Sequence, residues 1–161
     1  MSTTIPESDR FFAVEISKVF WLPAVAGTEP TRPEITAGTE LANEIVDLAG
    51  WDPTPNAFSV NTLGSRFSPS MTGRTSMQAA TITYAASLDG QDVRTVHDVG
   101  DKGFLLIADG GDEPGYPAQL FPATVSAITP LRTVAEQEHR LTVSYSIPNK
   151  PRQVTLPAAA A

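Results

Sequence analysis

Two-residue alternation of apolar and polar side chains recurs in four segments of the chain, and strands with one buried face are the first expectation. The alternation is cleanest from Arg140 to Ile147, where Leu141, Val143, Tyr145 and Ile147 interleave with Arg140, Thr142, Ser144 and Ser146. Ile82 and Tyr84 alternate with Thr81 and Thr83, and Phe121, Ala123, Val125 and Ala127 alternate with Pro122, Thr124 and Ser126. Each run therefore sends its larger side chains to one face. Phe12, Val14 and Ile16 begin the fourth strand, expected to run to about Leu22. Phe104 to Ala108 is apolar throughout, which suits a strand covered on both faces; a short buried helix is the alternative that pattern alone leaves open.

One segment reads as a helix. Asp89 can accept bonds from the free amides of a first turn, Asp92 suits the positive end, and Gly100 supplies a left-handed stop, with Val93, Val96 and Val99 as the buried stripe. Valine is a weak helix former, so this helix would depend on packing against a sheet. Two stretches are expected to be irregular. From Pro23 to about Gly38 the prolines at 23, 30 and 33 remove amide donors and favour extended or turn backbone. From Gly50 to Ser70 prolines and glycines interrupt a series that still holds Trp51, Phe58, Val60, Leu63 and Phe67. A loop that apolar must pack on something, and for Trp51, Phe58 and Phe67 the pattern leaves the protein's own body and a neighbouring chain equally open. The expected architecture is all-β with one flanking α-helix. It forms a single domain over residues 1–157, with a long Pro/Gly-rich loop at about 50–70 and a frayed tail at 158–161.

Composition narrows what such a domain can do. At 161 residues, 41% of them hydrophobic, the chain can build one modest core. It has no cysteine, so burial and backbone pairing must carry stability without disulfides or thiolate metal sites. The opening MSTTIPESDRFF lacks a basic start followed by an apolar run, and no stretch approaches the ~20 apolar residues of a membrane span, so a soluble, unprocessed chain is expected. The formal charge is −7, and the longest basic cluster is the pair Lys150 and Arg152. That balance argues against gripping nucleic acid, which needs clustered cations to displace counterions.

Candidate chemistry is sparse. Asp109, Asp112 and Glu113 sit in ADGGDEPGYP, but their spacing misses that of a helix-loop-helix calcium site. The interleaved glycines and prolines suit a connection between two antiparallel strands, with the charges kept in water. His97 falls in the expected helix and His139 near the start of a strand, neither with a second histidine at ligand spacing. Both are expected as surface or boundary residues, and zinc is not expected. Asp98 and Asp101 flank Gly100 as a solvated helix end. There is no Gly-x-Ser-x-Gly elbow and no phosphate-binding Gly-x-x-x-x-Gly-Lys sequence. No catalytic, cofactor-binding or metal-ligating residue is nominated, and an enzyme is not expected.

Several short pieces, taken in order, resemble the major tail (tail tube) proteins of long-tailed bacteriophages, in particular those infecting actinobacteria. They are Val19-Phe20-Trp21-Leu22-Pro23, Thr36-Ala37-Gly38-Thr39-Glu40-Leu41, Gly50-Trp51, Gly64-Ser65-Arg66-Phe67, Gly73-Arg74-Thr75, and a strand ending in Asp109-Gly110-Gly111. The likeness runs from about Lys18 to Pro148. It implies a β-sandwich or partial barrel flanked by one helix, which completes a β-barrel on assembly into hexameric rings stacked as a hollow tube for DNA. The implied partners are further copies of the chain and the tape measure, distal tail and terminator proteins, with phage DNA passing through the lumen unbound and no cofactor. Trp51, Phe58, Arg66, Phe67, Asp109 and Asp112 are the candidate inter-subunit contacts. The alternative is a monomeric β-sandwich module binding carbohydrate or peptide, with Trp21, Trp51 and Tyr116 as stacking surfaces.

Overall fold

The computed structural model describes residues 3–158; the rest of the expected frayed tail, 159–161, lies outside them. Among the described residues the elements are β1 (Lys18–Leu22), α1 (Arg32–Ala37), β2 (Thr39–Glu40), β3 (Ile45–Ala49), β4 (Thr54–Ser59), β5 (Ser70–Ser76), β6 (Ala80–Ala85), β7 (Lys102–Ala108), β8 (Pro117–Leu131), β9 (Arg140–Ser146) and β10 (Arg152–Thr155). The main sheet has the order β2-β1-β7-β8-β9-β6-β3, with β10 added on β8, and β4 and β5 form a separate ribbon. The expectation of a mostly-β protein with one short helix holds.

The 15-residue β8 organises the sheet. Residues 119–124 pair with β7, residues 117–120 with β10 and residues 124–131 with β9, with a register shift between Val125 and Ala127. An extra residue at such a point bends a strand and sharpens its twist. The sheet curls accordingly. Trp21 on β1 has its ring centroid 6.1 Å from that of Tyr145 on β9, although β7 and β8 lie between their strands; in a flat sheet three strand spacings would separate them by about 14 Å. The sheet's two ends, β2 and β3, are joined through Leu41 and a 3-10 turn at Ala42–Glu44. No ladder connects them, so the sheet does not close into a barrel.

Alternation explains the two cores. Inside the curl lie Val19, Trp21, Ile82, Tyr84, Leu105, Phe121, Val125, Val143 and Tyr145. On the outer face of β1, β7 and β8 a second cluster gathers Phe20, Leu22, Leu106, Ala108 and Leu120 beneath Ile35 of α1 and Val154 and Leu156 near the C-terminal end. β7 therefore contributes Leu105 to one core and Leu106 to the other, as its uninterrupted apolar run predicts.

Four expectations are corrected. The helix expected at 89–100 is only a 3-10 turn at Val93–Thr95. Its cap is Asp92, whose carboxylate accepts from the amides of Ser87 and Arg94 at 2.9 and 3.0 Å and so closes a compact turn where a longer helix was expected. Of the valine stripe Val93 is buried while Val99 is 66% exposed. The α-helix lies instead in the Pro23–Gly38 stretch. There Pro33 stands in the first turn and Glu34 accepts from the amide of Thr31 at 2.7 Å, as in a Thr-x-x-Glu capping box. The strand expected from Phe12 begins only at Lys18, because the chain turns at Val14–Ile16 with Glu15 in the left-handed region (φ 72°). The 50–70 stretch is partly regular, since β4 lies within it and β5 begins at Ser70.

Gly103 permits the β1–β7 packing. A Cβ there would meet Cζ2 of the Trp21 indole at 2.6 Å and the Leu22 carbonyl at 2.8 Å. Gly103→Ala is expected to cost about 1–3 kcal/mol, read as a lower urea midpoint with an unchanged denaturant slope.

Candidate functional site

The β4–β5 ribbon is held by antiparallel pairs such as Thr54 with Ser76, Phe58 with Met71 and Ser59 with Ser70. All of β4 and all of β5 except Gly73 is exposed. Gly73 lies so close to Phe58 that a Cβ would stand 3.2 Å from its ring. Phe58 is 52% exposed, Met71 53% and Phe67 75%. An isolated two-stranded ribbon is marginal in water, and this one also presents aromatic and thioether surface to solvent. At its tip the Val60 amide donates to the Pro69 carbonyl at 2.9 Å, and Ser65 Oγ accepts from the Phe67 amide at 3.1 Å. That local turn presents Arg66 and Phe67 side by side, both exposed. Between Pro53 and Met77 the charged residues are Arg66 and Arg74, so this segment carries +2 and the remainder −9 of the total −7.

A second surface forms at the β7–β8 connection, Asp109–Tyr116, which joins antiparallel strands as its glycines and prolines suggest. Arg32, in the first turn of α1, donates from Nη1 to both Asp112 oxygens at 2.7 and 2.8 Å and from Nη2 to the Pro157 carbonyl at 2.6 Å. Asp112 thus fastens the turn to α1 within the same chain. Asp109 is exposed and has no ion-pair partner among the described residues. Its backbone is fixed, because its carbonyl accepts from Ser17 Oγ at 2.8 Å. Beside it opens a largely apolar groove of about 370 Å³, lined by Phe11, Asp109, Gly110, Tyr116 and Pro117 among others. The sheet edge at β3 is also open: β3 has a partner only in β6, and its Val46 and Leu48 are each 40% exposed.

The remaining candidates are internal. Trp51 is buried in the inner core, its ring edge-on to Phe121 at 5.1 Å and its Nε1 donating to the Thr81 carbonyl at 3.2 Å. Trp21 is buried too, so of the three rings considered for ligand stacking only Tyr116 faces solvent, 48% exposed. Phe58, Arg66 and Phe67 share the ribbon, and Asp109 and Asp112 share the acidic connection. Sequence reasoning missed Met71, the cross-strand neighbour of Phe58, and Arg32, whose role was signalled only by the capping box around it. Among the described residues no group of three or more His, Asp or Glu is placed to hold a metal ion, and no helix is long and apolar enough to cross a membrane.

His97 is also internal, which corrects its expected surface position: it is 1% exposed. Tyr84 and Tyr145 share a hydroxyl hydrogen bond of 2.7 Å, and the Tyr145 hydroxyl meets His97 Nε2 at 2.9 Å. The Trp21 ring stands edge-on to the imidazole at 4.5 Å. Nδ1 is buried without a hydrogen-bond partner. Burial raises both tyrosine pKa values and lowers that of the histidine. The cluster is closed to any substrate, so its polar groups act on folding.

The sequence model of the phage tail tube protein family matches residues 5–160. No curated protein matches the chain significantly. Among solved structures the fold is similar to a chain of the anti-feeding prophage (AFP) baseplate, a 6-fold symmetrised cryo-EM structure. The TM-score is 0.53 at 12% identity, over 97% of this chain and 99% of that one. At that identity the likeness is one of fold.

The buried histidine sets an acid limit on stability. Desolvation pulls its pKa from 6.5 down to about 4. As pH falls below 6.5 the unfolded chain takes up a proton that the folded chain refuses, so stability is full above that pH and declines towards pH 4, by on the order of 3 kcal/mol in total. Between pH 7.5 and 4.5 the urea midpoint of the wild type should drop further than that of His97→Gln. Equal drops would show that another group carries the acid sensitivity.

Proposed function

This chain belongs to the phage tail tube protein family, and from that premise we propose that it forms hexameric rings which stack into the tube through which DNA leaves the particle. It is a structural component of the virion tail and not an enzyme. The family match over residues 5–160 carries the reading, and the 6-fold symmetry named for the structurally similar baseplate chain supports the ring number. Three physical features agree with it. The curled sheet ends in unpaired edges at β2 and β3, and unpaired edges are a liability that a neighbouring subunit removes by continuing the sheet. The ribbon exposes Phe58, Phe67 and Met71, apolar surface that an adjacent copy would bury. A chain of charge −7 can line a lumen that repels phosphate, so DNA slides past without binding.

In this reading residues 1–157 work as one tube-forming domain. The tube ends meet tape measure, distal tail and terminator proteins, and assembly takes place in the host cytoplasm. Phe58, Arg66, Phe67 and Asp109 supply contacts between subunits, while Trp51 and Asp112 support the surfaces that carry them.

Purified protein at micromolar concentration should give rings or tubes in negative-stain images and a multi-subunit mass by light scattering. Single particles indifferent to concentration would sink the proposal. Phe58→Ser with Phe67→Ser should abolish assembly while moving the urea midpoint by no more than about 0.5 kcal/mol equivalent, as for exposed positions generally.

Like charge on every copy opposes stacking, and salt screens it over about 10 Å at 0.1 M. Light scattering should therefore rise from very low to moderate salt. A steady fall on adding salt would contradict the electrostatic argument.

A further inference from the structure

We propose that the ribbon tip of one copy seats in the groove beside Asp109 of a second copy, with Phe67 entering the groove and the Arg66 guanidinium pairing with the Asp109 carboxylate. This deepens the self-assembly reading and rests on it. Four observations converge. The ribbon segment carries +2 on a chain whose remainder carries −9, so although whole copies of net −7 repel at long range, the ribbon itself is drawn at contact distance to acidic surface on another copy. Its tip places Arg66 directly beside Phe67, the latter 75% exposed, on a turn fixed by Ser65. The groove offers the matching pair, an apolar lining with Tyr116 and an acidic rim at Asp109. Finally, the two aspartates of the connection differ in availability. Asp112 is already held by both bonds from Arg32 Nη1, whereas Asp109 has no ion pair among the described residues while its backbone is anchored by Ser17.

The chemistry suits a specific joint. An aromatic side chain removes some 150–250 Å² from water and supplies most of the energy, while a planar guanidinium on a carboxylate fixes direction. The two partner patches lie on different parts of the subunit, so the contact is head-to-tail and can propagate from ring to ring.

Charge reversal tests it, using full-length protein and the critical concentration for assembly read by light scattering. Arg66→Asp and Asp109→Arg should each raise that concentration about ten-fold, and the double variant should return it to within about three-fold of wild type. Mixing the two single variants should also restore assembly, because each tip then finds an opposite charge on the other protein. Both substituted positions are exposed, and urea midpoints check that each variant folds; Asp109→Asn gives a milder second probe, expected to lose assembly less than Asp109→Arg. Single variants that assemble like wild type would overturn the joint and leave the tube standing, as would a double variant that stays defective. Rescue in the double variant but not in the mixture would place the contact within one copy and overturn it too. Failure of the wild type to assemble would remove the tube reading itself.

Discussion

The backbone pairing of β8 is the constraint on which the rest of the structure depends. With no cysteine to tie distant segments, this one strand holds β7 along one edge and β9 and β10 along the other. Three prolines lie in it: Pro117 opens the strand, where proline is tolerated, and Pro122 and Pro130 stand at positions that would ordinarily break a central strand. Pro122 falls in the gap between the β10 partners, which end at Leu120, and the β9 partners, which begin at Thr124. Pro130 lies beyond the reach of β7, whose pairing stops at Thr124. Each proline thus stands where one flank of β8 has no strand to receive a donor. The bulge at Val125 and Ala127 comes where the strand passes from one set of neighbours to the next, and the curl of the sheet follows from it.

That curl divides the molecule into a body and a projection. The body closes two cores, one inside the sheet and one beneath α1. Its outer cover is held by few but strong contacts, above all Arg32 reaching Asp112 and the Pro157 carbonyl. The ribbon has no comparable support, since its strands pair only with each other and its large side chains face water. The proposed assembly draws on both parts, the body to set the geometry of a ring and the ribbon's exposed apolar surface to drive joining. The charge partition, basic ribbon against acidic body, would give such joining a direction.

Local patterning made much of the sheet legible. β6, β9 and the middle of β8 stand where alternation placed them, and β7 is covered on both faces as its apolar run required. The Asp109–Tyr116 connection is a turn between antiparallel strands for the reason its glycines and prolines gave. Prolines 30 and 33 suggest a broken, irregular stretch, but Thr31 and Glu34 mark a helix start and Pro33 fits inside its first turn, where a missing amide donor costs nothing. At 89–100 the same kinds of residue close one short turn because Asp92 uses both oxygens on nearby amides and on Arg94.

The sequence by itself determined which residues alternate, where turns are forced and which chemistries are absent, because these depend on neighbours within a few positions. It also carried the pieces that identify the family. Only the tertiary structure decided that His97 is buried against Tyr145, 48 residues away, that Trp51 belongs to the inner core, and that Phe58 and Phe67 are left in water. Burial is set by which strands the curled sheet brings face to face, and that is a property of long-range pairing, to which a local pattern of polar and apolar residues is blind.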